Sequence, residues 1–232
     1  MVLAASGIVL WAFIGIEARA PNALLPLDLA RSGRFVGASL VALVLTATTT
    51  PPLFVCGLYL QHVRDMPPTL AGIAFAPVNL AVIVGSVVGP HIVGRVGNRR
   101  AMAIGLVMVA AGATAIGAVL DVSGRPLAAL VAAFVVLGGG LGAASVASTA
   151  EGIAAAGDER GGVASGILNT AAQIGTAVGL AVLVSLAAAR SDALSATMTY
   201  QEALVGGYRW AAVAAALVAG CAGTVLSWPR RD

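Results

Sequence analysis

Seven apolar runs limit what this chain can fold into. They cover residues 1–16, 35–60, 70–93, 101–120, 127–150, 163–189 and 207–228, termed segments a to g. Six of them reach the roughly 20 residues that a helix needs to cross about 30 Å of hydrocarbon. Segment a is at the short limit. The runs are apolar all round and do not alternate, so they suit spanning helices and not the strands of a membrane barrel. Segment a has neither the basic n-region nor the small-residue cleavage site of a signal peptide. The expected fold class is an all-α membrane protein with about seven transmembrane helices.

Of the 232 residues, 59% are hydrophobic and only 10% are charged. Ordinary globular domains are about 25% charged, so a cytosolic enzyme and a disordered chain are both excluded. The net charge is +3, and the arginines are scattered over short loops without a patch, which excludes nucleic acid as a partner. All 13 basic residues are Arg, and with the Ala, Gly and Val excess this suggests a GC-rich bacterial genome. Cys56 and Cys221 lie inside apolar runs, where cysteine is a small packing residue. No metal-ligand spacing occurs, and no cofactor is expected.

Loop arginines set the orientation. Nine lie on the side of the a–b, c–d and e–f loops and the C-terminal tail, against four on the other side. The richer side is expected to be cytoplasmic, with the C-terminus inside and Met1 outside. An outer N-terminus that begins directly in apolar sequence implies further helices upstream. A genuine seven-span protein with its N-terminus outside is the alternative.

Several segments carry polar signals. Segment b holds Thr46, Thr48, Thr49 and Thr50 before Pro51, Pro52 and Phe54. The prolines free backbone carbonyls that the threonines are expected to help satisfy, at a simple kink or near a transport site. Segment e carries Gly138, Gly139, Gly140 and Gly142, which permit close approach or bending and form no dinucleotide fingerprint. Segment f has two small-residue pairs, Gly162/Gly166 and Gly175/Gly179, expected at helix contacts. Its Ser165, Asn169, Gln173 and Thr176 share one face, which meets either a water-filled cavity or hydrogen-bonding partners on other helices.

In the c–d connection Gly94, Arg95, Gly97, Asn98, Arg99 and Arg100 form a tight turn. Its arginines suit phosphate contacts or a plain positive-inside anchor. In the a–b linker Leu24, Leu25, Leu27 and Leu29 alternate with polar positions, as in an interfacial segment or a connector. No charged residue lies well within a run. Glu151 is assigned to a loop or helix end, and Arg190 and Arg209 to loops. His62 and His91 read as interfacial, and no catalytic set appears, so no enzyme is expected.

Taken in order, these motifs resemble the C-terminal half of a major facilitator superfamily transporter, in the fourteen-span drug:proton antiporter branch. The resemblance rests on five stretches: Pro26-Leu27-Asp28-Leu29 with Arg31 and Arg34; Tyr59-Leu60-Gln61; residues 71–77; the Gly94 to Arg99 turn; and Gly166 to Gly175 with residues 179–183. It covers nearly the whole chain. Two departures stand out: Gly94 replaces the acid of the family's loop motif, which puts a charge latch there in doubt, and Ala172 replaces an Arg before Gln173.

The resemblance implies that residues 35–232 form a six-helix bundle of two inverted three-helix repeats, b–d and e–g, preceded in residues 1–34 by an extra span and interfacial linker. It places Thr46, Thr50, Phe54, Asn79, Ser145, Asn169 and Gln173 around a central cavity. Phe54 would offer an aromatic face to an apolar or cationic ligand. The implied function is half of a proton-coupled efflux antiporter for lipophilic or cationic drugs. Its partners would be the bilayer, a small-molecule substrate and a missing N-terminal half, with the coupling carboxylate in that half. A self-standing membrane binding or assembly module, or a half-transporter paired with a separate chain, is the alternative.

Overall fold

The computed structural model describes residues 15, 29, 31–123 and 127–228. Segment a and nearly all of the a–b linker lie outside the described residues. Among those described there is no strand, and six helical spans are long and apolar enough to cross a membrane. Helix α1 is Gly33–His62. The second span is α2, Pro68–Ile73, followed by α3, Ala76–Val96. Then come α4, Asn98–Val119, α5, Leu127–Ala156, α6, Gly161–Leu194, and α7, Tyr200–Ser227.

Local chemistry sets the helix ends. The Ser32 hydroxyl caps α1 by accepting from the Phe35 amide at 3.4 Å. Pro77 sits in the first turn of α3, where its missing N–H costs nothing. Gly97 links α3 to α4 with φ of +82°, a conformation other residues adopt only with strain. Thr199 and Glu202 close a reciprocal capping box that starts α7 seven residues before its apolar run. The helices therefore outrun the apolar segments. Arg190 and Arg209 are helical, which corrects their loop assignment, and Glu151 lies near the C-terminal end of α5.

Packing follows a crossed pattern. The span containing α3 lies against α5, and α6 lies against α1, so the second helix of each triplet packs on the first helix of the other. Glycine makes both contacts possible. A Cβ on Gly142 or Gly138 would strike the backbone of Val82 or Val78 in α3, and one on Gly85 would strike Gly139. On the other side, Gly175 and Gly179 of α6 meet the carbonyls of Leu43 and Ala47 in α1. Helices α4 and α5 close in the same way, since a Cβ on Gly105 would lie 2.7 Å from the Gly140 carbonyl. Gly162 and Gly166, expected at a helix contact, have nothing within 4 Å of an added Cβ. They stand nine or more residues from Gly175, which turns them away from α1.

The threonines of α1 differ from expectation as well. Thr48 and Thr49 donate to Val44 and Leu45, each at 2.8 Å, one turn back along their own helix. Pro51 leaves the Ala47 carbonyl without its helical donor, and that carbonyl is the one Gly179 meets. A glycine Cα–H directed at a carbonyl is a weak hydrogen bond.

Two arginines brace the ends of the bundle. Arg209 of α7 donates through Nε at 2.8 Å, and through Nη2, to the Leu120 carbonyl at the end of α4. Arg99 of α4 donates to the Leu226 and Trp228 carbonyls at the end of α7, at 2.7 and 2.8 Å. Each helix thus has its negative C-terminal end met by a cation from the other.

Gly142→Ala is expected to push α3 and α5 apart and destabilise the bundle by about 1–3 kcal/mol, because backbone atoms cannot move aside. Gly166→Ala, in open space within a helix, is expected to stabilise by roughly 0.5–1 kcal/mol. Denaturant unfolding in detergent micelles distinguishes the two. Arg209→Met removes two charge-assisted bonds to Leu120 and is expected to cost about 1.5–3 kcal/mol by the same measurement.

Candidate functional site

Where α1, α5 and α6 converge, their packing leaves a polar pocket of about 160 Å³. Its polar side chains are Thr46 from α1, Ser145, Ser148 and Thr149 from α5, and Ser165 and Asn169 from α6. Leu45, Leu141 and Leu168 supply apolar wall. The pocket exists because Gly175 draws α6 onto α1 nearly two turns beyond Asn169, while small serines hold space between α5 and α6.

The hydroxyls differ in what they have left to offer. Thr46 donates to the Ala172 carbonyl at 2.6 Å and ties α1 to α6. Ser148 is buried and donates to Ser145 O at 3.0 Å, and Ser165 donates to Gly161 O at 2.9 Å. Their oxygens still accept. The Asn169 amide is exposed and has no hydrogen-bond partner among the described residues, so it keeps donors and an acceptor for a ligand or water. No group of three or more His, Cys, Asp or Glu that could hold a metal occurs among the described residues.

Of the seven cavity candidates, Thr46, Ser145 and Asn169 line this pocket. Thr50 and Phe54 lie outside it, one and two turns farther along the Thr46 face of α1, with Phe54 47% exposed. Gln173 is exposed one turn beyond Asn169 and also has no hydrogen-bond partner among the described residues. Asn79 is not brought to the site. It lies on α3, packed against α5 and remote from the α1–α6 contact, and its amide donates to Phe75 O at 3.1 Å. Ser148, Thr149 and Ser165 complete the lining and were not among the candidates. Ser165 belongs to the Asn169 stripe, and Ser148 and Thr149 continue the Ser145 face of α5 by helical spacing.

An ionic cluster joins α1, α4 and α5 at the Arg-rich end of the bundle. Glu151 of α5 accepts from Arg34 Nε at 2.7 Å and from Asn98 Nδ2 at 2.9 Å. The Glu151 side chain is 14% exposed and that of Arg34 is 60% exposed, so the Asn98 bond is the better shielded of the two. A charged contact therefore does join this end of the bundle, although Gly94 replaces the loop acid. The acid comes from α5 instead. Within the Gly94 to Arg100 turn, Gly94 has open space around it, Gly97 makes the turn, and Arg99 braces α7. Arg95 and Arg100 are exposed, and no ion pair or hydrogen bond engages either among the described residues.

Comparison with known proteins gives this bundle its family. Residues 2–180 match the Major Facilitator Superfamily. The methylenomycin A resistance protein of Streptomyces coelicolor is 32% identical over 176 residues, which cover 76% of this chain and 37% of that protein. The tetracenomycin C resistance and export protein of Streptomyces glaucescens is 31% identical, over 81% of this chain and 35% of its own length. The cephamycin export protein CmcT of Amycolatopsis lactamdurans is 32% identical, over 88% of this chain and 43% of its own. The chain spans well under half the length of these relatives. With six helices fit to span a membrane and a match over most of its length, the chain belongs to the Major Facilitator Superfamily.

Proposed function

We propose that this chain forms the C-terminal half-bundle of an efflux antiporter that exchanges protons for lipophilic or cationic drugs. On this reading residues 35–232 are the bundle, and residues 1–34 add a span and an interfacial linker. The Arg-rich end faces the cytoplasm. The pocket between α1, α5 and α6 forms part of the drug path. A second bundle, in the same or a separate chain, covers its open side.

The observation that carries the reading is the exposed polar face of α6. Asn169 and Gln173 stand exposed and without hydrogen-bond partners among the described residues, on a helix long and apolar enough to cross a membrane. A side-chain amide left unpaired in hydrocarbon costs several kcal/mol, of order 4–8 against an alkane. Such a face is stable only against protein or water. Helix α6 and the α2–α3 span are also the least buried of the six. These two are the second helices of the triplets, so a further bundle has two matching open faces to meet. Relatives named for resistance to, or export of, three antibiotics suggest drugs as the cargo.

Glu151 is a poor coupling acid in this scheme. It lies five residues from the end of α5 and already holds Arg34 and Asn98. The carboxylate that carries the proton is placed in the other bundle.

A chimera tests the reading. This chain would replace the matching segment of the tetracenomycin C resistance and export protein, and drug efflux would be followed in cells. The chimera is expected to export drug. Asn169→Ala combined with Ser145→Val is expected to lower export about tenfold at unchanged membrane abundance, a loss of about 1.4 kcal/mol. Glu151→Gln is expected to leave the dependence on the proton gradient intact. Unchanged export by the double variant would remove the pocket from the drug path. Proton-driven drug movement by this chain alone in liposomes would contradict the need for a second bundle.

A further inference from the structure

An apolar groove of about 520 Å³ lies away from the polar pocket, between α3 and α4. The two helices follow each other through the one-residue turn at Gly97, yet they touch little along their length, and both lean on α5 instead. The wedge between them stays open. Its wall is Val84, Val88 and Ile92 of α3 and Met108 of α4, and its floor is Gly139 and Ala143 of α5. Among the described residues no polar side chain lines it. The groove follows α3 from Pro77 to Ile92, roughly 22 Å at 1.5 Å per residue. That exceeds one leaflet, half of the ~30 Å hydrocarbon core.

Its mouth at the Arg-rich end is cationic. Arg95 is three residues beyond Ile92 and seven beyond Val88, so it continues the groove face of α3. Arg100 is eight residues before Met108, with Ile104 between, so it continues the groove face of α4. Both are exposed, and neither is engaged by a carboxylate or carbonyl among the described residues. Arg99 between them is taken up by α7, and Glu151 by Arg34 and Asn98. Helix α4 also opens without a side-chain cap, which leaves its first amides and positive end at the same mouth.

We propose that this groove binds one anionic phospholipid, with an acyl chain along Val84, Val88 and Met108 and the phosphate held between Arg95 and Arg100. The match is of charge and of polarity along a single axis: two arginines that no described residue engages, then an apolar channel lined from α3, α4 and α5. A loose shell of lipid needs only the arginines, whereas a bound lipid needs the groove too. The proposal rests on the membrane location of the bundle and on a second bundle leaving the Val84–Val88 side of α3 uncovered, and not on what is transported.

Native mass spectrometry of the whole chain, titrated in detergent with phosphatidylglycerol or phosphatidylcholine, tests this. One phosphatidylglycerol per chain is expected to be retained, at least tenfold more tightly than phosphatidylcholine. Arg95→Gln and Arg100→Gln are each expected to weaken it about fivefold, and the pair roughly 25-fold. Val84→Phe fills the groove at an exposed position and is expected to weaken retention at least tenfold with every charge in place. Circular dichroism would verify that each variant keeps its helices. Equal retention of the two lipids, or indifference to Val84→Phe, would overturn the proposal in favour of a non-specific lipid shell. Full competition by glycerol phosphate would reduce the site to a phosphate site. No retained lipid, with Val84→Cys crosslinking to residues 1–16 or to a second copy, would give the groove to that occupant and refute the lipid.

Discussion

In hydrocarbon, helices gain nothing from hiding apolar side chains from one another, so close backbone contact has to hold a bundle together. Here that contact is made by glycine against carbonyl. Gly142 and Gly138 settle on Val82 and Val78, and Gly175 and Gly179 settle on Leu43 and Ala47. Pro51 prepares the last contact by removing the amide that would otherwise occupy the Ala47 carbonyl. A helix breaker in α1 and a small residue in α6 therefore act as one device.

These contacts decide where everything else falls. They dock α3 on α5 and α6 on α1, which leaves the outer faces of α3 and α6 open. Thr46 lies at the α1–α6 seam, and its bond to Ala172 fixes the polar pocket just toward the Arg-rich end of it. At the bundle ends, Arg99 and Arg209 tie α4 to α7 in opposite directions, and Glu151 joins the start of α1 to the start of α4. The middle is thus held by backbone contact, and the ends by charge. Alternating access in this family is largely rigid-body rocking, which asks for bundles that keep their shape, and contacts at the middle and both ends brace this one.

The spans were legible because apolar length is a direct physical requirement of the bilayer. Their ends were not, because capping boxes and charged turns extend helices past the hydrocarbon. Thr199 with Glu202 starts α7 well before Gly207, which makes Arg209 a helical brace and not a loop charge. The Gly pairs of segment f show a second limit. Gly162/Gly166 and Gly175/Gly179 have the same spacing, yet nine residues of helix turn Gly166 about half a revolution from Gly175. Which face meets α1 depends on tertiary packing. Asn79 lies on α3, outside the pocket, for the same reason, whereas Ser165 and Asn169 of the stripe line it. Glu151 left a signal in its helical phase, four residues past buried Ala147, but its partners Arg34 and Asn98 come from distant helices that no local pattern joins.

The central claim is that the Asn169 face of α6 meets water inside a transporter and not lipid. A cysteine reports this directly, since a maleimide reacts with the thiolate, which forms only where water reaches. Cys56 is buried and Cys221 is exposed, so the background is Cys221→Ser. Asn169→Cys and, as the outer-face reference, Val218→Cys would be placed in the chain within an assembled efflux protein and exposed to a membrane-impermeant maleimide. Rapid labelling at Asn169→Cys with a silent Val218→Cys is the expected result. Equal protection of both positions would contradict the aqueous path.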